Sequence, residues 1–153
     1  MSRLLLAVAC LTFAACKRDP PRFCDQDLSG LWLNSSDRHF AYDFRDDGGV
    51  VAGDFRQRAD DGGLGKPPEP ITFELKRAGS AVDGVMRSTG TTAGGKTCPV
   101  EFQTRITDCK PDAIQVVVEI SAPVGEDCKR LTAPDGGALP PAWREFVLER
   151  AQR

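Results

Sequence analysis

The spacing of apolar residues constrains the fold of this chain most, because from Leu28 onward they mostly recur at every second position. Such alternation places apolar side chains on one face of a β-strand and polar side chains on the other. No segment longer than a turn or two has the period of an α-helix. The pattern therefore predicts an all-β chain with eight strands, at residues 28–34, 39–45, 50–58, 71–77, 82–88, 100–107, 113–121 and 143–150.

The apolar faces of these strands are the predicted core, and they are rich in aromatic residues. Their members are Phe40, Tyr42, Phe44, Ile71, Phe73, Leu75, Val100, Phe102, Ile106, Ile114, Val116, Val118, Ile120, Phe146 and Leu148. In a small closed barrel, the interior is either filled by side chains or left open enough to hold one small ligand. The sequence leaves both alternatives open.

The connections between predicted strands are of two kinds. Residues 46–49, 78–80 and 108–111 form short Gly- or Pro-containing connections, whereas residues 59–70, 89–99 and 122–142 form long ones. In an up-and-down meander, alternate connections lie at opposite ends, so the long loops gather at one end. The predicted fold is an eight-stranded antiparallel up-and-down β-barrel whose long-loop end is the functional face.

This topology predicts the disulfide pairing. Cys98 and Cys109 bracket one strand and lie roughly 35 Å apart along it, whereas a disulfide needs Cα atoms within about 7 Å. Cys24 and Cys109 both fall at the tight-turn end, and Cys98 and Cys128 both fall at the long-loop end. The predicted pairs are Cys24–Cys109 and Cys98–Cys128, which suits an exported protein.

The N-terminus predicts export. Arg3 precedes an apolar run at residues 4–15, which is too short for a membrane-spanning helix of roughly 20 residues. The sequence Phe13-Ala14-Ala15-Cys16 resembles the lipobox of bacterial lipoproteins, in which two small residues precede the cysteine that receives the palmitate-bearing lipid. The resemblance implies a signal peptide at residues 1–15, lipidation at Cys16, a Pro-rich tether at residues 16–22 and a barrel domain at residues 23–153. Ordinary secretion, with Cys16 as a free thiol, is the alternative.

Composition excludes several functions. The formal net charge is −2 and no basic run is present, which argues against a nucleic-acid partner. The chain contains one histidine, His39, so a histidine-based metal site lacks ligands. No nucleophile elbow, phosphate loop or dinucleotide motif occurs. We therefore predict a protein that is not an enzyme and needs no cofactor or metal.

Gly30-Leu31-Trp32 on the first strand is similar to the Gly-x-Trp that opens calycin barrels, lipocalins and avidin-type proteins among them. The resemblance implies that Trp32 plugs the closed end, with an arginine from the last strand packed on its ring; Arg144 and Arg150 are the candidates. Asn34 and Ser36 fall near the ligand-binding positions of the avidin-type opening, although the full avidin ligand set is not matched. Together with Tyr42, a core residue with its hydroxyl at the rim, and Trp143, they are the candidates for a ligand rim. We expect His39 to be a solvated residue at the start of a strand.

These predictions combine into one functional expectation. The protein is expected to be a lipid-anchored binding module of the cell envelope that holds a small hydrophobic or amphipathic ligand at its long-loop end. The residue after the cysteine, Lys17, resembles the outer-membrane-directed type of lipoprotein. The alternative is a protein-binding envelope lipoprotein, such as a protease-inhibitor-like barrel, which a filled interior would favour.

Overall fold

A computed structural model describes residues 24–65, 67, 69–120 and 123–152 of the chain. Within these ranges the regular structure is entirely β, as the sequence predicted. The strands are β1 (Gly30–Asn34), β2 (Phe40–Asp46), β3 (Val50–Arg58), β4 (Leu64–Gly65), β5 (Thr72–Ala78), β6 (Ala81–Thr91), β7 (Thr97–Cys109), β8 (Ala113–Glu119) and β9 (Trp143–Arg150). Cys16 and the rest of the predicted signal and tether lie outside the described residues.

Eight of these strands close into an antiparallel barrel. The order around the sheet is β2-β1-β9-β8-β7-β6-β5-β3, and an additional pairing between β2 and β3 completes the ring. The short β4 pairs with the last two residues of β3 and stands outside the ring. The eight barrel strands pair with their neighbours in sequence, and β9 closes the ring against β1, so the predicted up-and-down barrel is confirmed.

Most strand boundaries agree with the prediction within about two residues, and 50–58 and 143–150 agree without any difference. The predicted long loop at residues 89–99 is wrong. Here β6 and β7 continue as a paired hairpin, with Thr89 opposite Pro99 and Thr91 opposite Thr97, and only residues 92–96 form the turn. Threonine suits a pleated strand through its branched side chain, but Thr and Gly here give no apolar alternation to detect.

Both predicted disulfides are present. Cys24 and Cys109 have Cα atoms 5.1 Å apart, and Cys98 and Cys128 have Cα atoms 5.3 Å apart. The first pair ties the segment before β1 to the end that carries the β2–β3, β5–β6 and β7–β8 turns, which we call the closed end. The second pair lies at the opposite end, which we call the open end.

Trp32 is completely buried at the closed end, and its indole N–H donates to the Leu28 carbonyl at 2.8 Å. The Arg150 guanidinium lies over the ring, 4.3 Å from its centroid. This arginine also donates to the carbonyls of Ser29 and Asp27, at 2.7 Å each. Of the two arginine candidates, Arg150 therefore packs on Trp32, whereas Arg144 lies near the opposite end of β9. Arg150 joins the last strand to the segment that covers the barrel floor.

A buried ion pair completes the closed end. Asp46 and Arg77 have side chains that are 3% and 9% exposed, and they bond to each other in a salt bridge. Arg77 also donates to the carbonyls of Cys24 and Gln26, while the Asp46 carboxylate accepts the Leu28 backbone N–H at 3.0 Å. The bond from Arg77 lowers the pKa of Asp46 to about 2. Together these groups hold the N-terminal segment across the floor.

Candidate functional site

Four turns at the open end are of one type. In each, the first residue donates its backbone N–H to the carbonyl of the fifth, and the fourth donates to the carbonyl of the first, at 2.8–3.0 Å. These turns occupy residues 59–63, 92–96, 125–129 and 133–137. Short turns closed by two backbone hydrogen bonds lose little entropy on binding, because the turn is already ordered. The open end is therefore preorganised.

The fourth residue of each turn has a left-handed backbone. Three of the four are glycines, with φ of 86° at Gly62, 85° at Gly95 and 81° at Gly136, whereas the fourth is Cys128 with φ of 63°. A side chain in this conformation costs roughly 1–2 kcal/mol. Cys128 adopts this left-handed conformation while its side chain is bonded to Cys98 on β7.

Further bonds hold the β8–β9 connection against the β6–β7 hairpin. Arg130 donates to both carboxylate oxygens of Glu119, at 2.7 and 3.0 Å, and to the Glu101 carbonyl on β7. The bond from Arg130 lowers the pKa of the largely buried Glu119. Glu126 accepts the Gly94 backbone N–H at 2.8 Å. The connection is thus fixed to a rigid hairpin, although the sequence suggested only a long loop.

Aromatic side chains fill the middle of the barrel. Tyr42 lies at their centre, with ring centroids 5.6 Å from Phe55, 5.5 Å from Phe73, 6.1 Å from Phe146 and 6.4 Å from Phe44. Burial raises the pKa of Tyr42 to about 12. A deep ligand channel through the barrel would have to displace this cluster.

Above the cluster, inward-facing apolar side chains are only partly buried. Ile71, Met86, Phe102 and Phe146 pack on the core with part of their surface exposed. Five further large apolar side chains of the open end are exposed: Phe40 on β2, Leu64 on β4, and Ile120, Leu131 and Leu139 in the β8–β9 connection. We call these five exposed side chains the apolar rim.

The four predicted rim residues are not brought together. Asn34 accepts the backbone N–H of Ser36 at 2.8 Å, so its side chain stabilises the β1–β2 turn in which Ser36 is exposed. Tyr42 is the only one of the four in the barrel interior. Trp143 lies on the outer wall, where the Arg105 guanidinium is 5.0 Å from its ring centroid.

A contact that the sequence did not reveal lies beside this rim. His39 joins two carboxylates, with Nδ1 3.0 Å from Asp37 Oδ1 and Nε2 2.8 Å from Asp60 Oδ1. Asp60 is 21 residues away on another turn, so only the register of β2 against β3 brings the two together. No sequence motif predicts a contact of this kind.

Comparison of the chain with protein-family models, curated proteins and solved structures finds no match. Among the described residues, no helix has the length and apolarity needed to cross a membrane. The same ranges hold no cluster of three or more His, Cys, Asp or Glu side chains suited to a metal ion. The site is therefore interpreted from its own geometry.

Proposed function

We propose that this protein is an exported, lipid-anchored β-barrel whose open end binds another protein of the cell envelope. The observation that supports this most directly is the apolar rim, whose members lie in strands and connections next to the preorganised turns, at the open end of a barrel filled by aromatic side chains. Exposed large apolar side chains that share one region of a soluble domain can mark an interaction site. Exposed apolar side chains at the end of a filled barrel suit a protein partner better than a small molecule, which pockets bury over most of its surface.

The bonds that hold the β8–β9 connection in place support the same proposal. Protein partners bind tightly when few side chains and loops have to be ordered on association. The Cys98–Cys128 disulfide and the Glu119–Arg130 ion pair fix the β8–β9 connection before any partner arrives. This connection carries Leu131, which is 50% exposed and available to act as an apolar anchor.

The position of Cys24 indicates where a lipid anchor would lie relative to the open end. Cys24 is bonded to Cys109 at the closed end, and Cys16 precedes it by only eight residues, which span at most about 28 Å. A lipid on Cys16 would therefore keep the closed end near the membrane. The open end would face the envelope space, where a partner protein can reach it.

A second candidate function is the binding of a small hydrophobic or amphipathic ligand at the open end. The partial exposure of Met86, Phe102 and Phe146 favours it, because these inward-facing side chains would gain apolar burial under a ligand. Native mass spectrometry of the gently purified protein tests this candidate. A small bound mass that is lost on denaturation would support it, and an unliganded mass would favour the protein partner.

Site-specific photo-crosslinking in the producing cell tests the main proposal. A photo-reactive side chain is placed at Leu131 or Leu139 on the open end and, as a matched control, at Val50 next to the closed end, which is 38% exposed. We expect the two open-end positions to crosslink to one and the same protein and Val50 not to do so. Equal crosslinking from Val50, or none from the open end, would contradict the proposal.

A further inference from the structure

His39 lies between two turns of the open end. It precedes β2, and its imidazole contacts Asp37 in the β1–β2 turn and Asp60 in the turn at residues 59–63. The Asp60 turn leads directly into β4, which carries the exposed Leu64. The imidazole is the side-chain bridge between these two turns.

The number of protons on the imidazole decides how many of these bonds can form. A neutral imidazole has one N–H and one acceptor nitrogen, so it can donate to only one of two carboxylates. Its unprotonated nitrogen would then face a carboxylate oxygen, and two acceptors cannot share a hydrogen bond. The imidazolium has two N–H groups, and it can donate to Asp37 and Asp60 together. The observed bridge, with both nitrogens within 3.0 Å of a carboxylate oxygen, is therefore complete only in the protonated form.

The other contacts around His39 show which part of the structure depends on the bridge between its ring and the two carboxylates. The backbone N–H of Arg58 donates to the His39 carbonyl at 2.8 Å, and this bond does not depend on protonation of the ring. Loss of the bridge therefore separates the Asp60 carboxylate from the β1–β2 turn, while β3 and the backbone hydrogen bonds within the Asp60 turn stay in place. Two cationic side chains lie nearby. The guanidinium of Arg58, at the end of β3, lies next to Gly62 of the Asp60 turn, and Arg38 pairs with Glu149 at 2.9 Å.

We propose that His39 is a proton-operated latch, which ties the Asp37 and Asp60 carboxylates to each other when protonated and can hold only one of the two when neutral. The importance of the latch for binding rests on the proposed function, but the latch itself can be measured without a partner. The hydrogen bonds to Asp60 and Asp37 raise the pKa of His39 above its ordinary 6.5. Because the pKa is raised, the latch is closed at pH values below 6.5 and opens as the pH rises through the higher folded-state pKa.

The test is an NMR titration of the purified protein, in which His39 is the only histidine. We expect a ring pKa above 6.5, and amide signals of Gly62 and Gly63 that shift with the same midpoint. Asp60→Asn should lower that midpoint and uncouple the turn. Asp61→Asn is the matched control, because the Asp61 carboxylate accepts the Gly63 N–H and makes no bond to His39; it should leave the histidine midpoint unchanged.

The outcomes separate the latch from the proposed function. A His39 pKa at or below 6.5, or an Asp60→Asn variant with an unchanged midpoint, would overturn the latch even if a partner binds the open end. A titrating latch combined with no crosslinked partner would support the latch and contradict the proposed function. If the latch titrates and a partner is also crosslinked, the affinity for that partner should fall as the pH rises through the His39 midpoint. In Asp60→Asn the affinity should no longer depend on pH in this range.

Discussion

Replacing Asp46 by asparagine should remove a defined, pH-dependent part of the stability of the barrel. The folded protein holds the pKa of Asp46 at about 2, against an ordinary value of 3.8. At about 1.36 kcal/mol per pKa unit, this difference corresponds to about 2 kcal/mol of stability. The direction of the effect follows from the lowered pKa: the contribution is complete well above pH 3.8 and is lost as the pH falls through about 2.

At neutral pH the substitution should cost more than this amount. Asp46→Asn would leave the guanidinium of Arg77 buried without its counter-charge, and breaking a buried pair from one side costs about 3–5 kcal/mol. The Arg45–Asp54 pair provides the matched control, because its atoms are also close, at 2.8 Å, while the arginine side chain is 71% exposed. Asp54→Asn should therefore change the stability by no more than about 1 kcal/mol.

The assay is urea unfolding of the oxidised protein at several pH values between neutral and about pH 2. Wild type should lose stability over the acid range, and the difference between wild type and Asp46→Asn should shrink as the pH falls. A difference that stays constant across this range, or a neutral-pH cost no larger than that of Asp54→Asn, would refute the role given to the buried pair.

Three further predictions follow from the packing. The single tyrosine should titrate with a pKa of about 12 when followed by tyrosinate absorbance, and a value near its ordinary 10.0 would show that solvent reaches the Tyr42 hydroxyl freely. Arg150→Met should cost about 2–3 kcal/mol in urea unfolding, because the cation over Trp32 and its bonds to carbonyls are lost, and a cost under about 0.5 kcal/mol would contradict this. In a Cys98→Ala background, Cys128→Gly should be more stable than Cys128→Ala by about 1 kcal/mol, because φ at this position is 63°; equal unfolding midpoints would contradict the backbone argument.

The parts of the fold that alternation specifies were predictable from the sequence. Strands 50–58 and 143–150 have clear apolar faces, and the order of short and long connections was enough to pair four cysteines correctly. The β6–β7 extension was missed because Thr and Gly form strand there without an apolar face. Strands were therefore predictable where one face is buried in the core, because this burial produces the alternation of apolar and polar residues.

Side-chain roles at the site were less predictable, because they depend on which groups a turn or a register brings together. The amide of Asn34 is used by its own turn, and the Asp60 partner of His39 becomes a neighbour only through strand pairing. The position of Trp143 could have been read from parity: alternation that puts Phe146 inward puts Trp143 on the outer wall. Strand parity is therefore a better guide to a barrel rim than residue type.

The claim that the open end binds an envelope protein is tested most directly by repeating the crosslinking with charged variants. In a cell that carries the photo-reactive group at Leu139, Leu131→Asp should abolish the crosslinked product, because an unpaired charge would then lie in the apolar contact. Val50→Asp, the same kind of change at an exposed apolar position near the closed end, should leave the crosslinked product intact. Loss of the product in Val50→Asp, or its persistence in Leu131→Asp, would contradict the account.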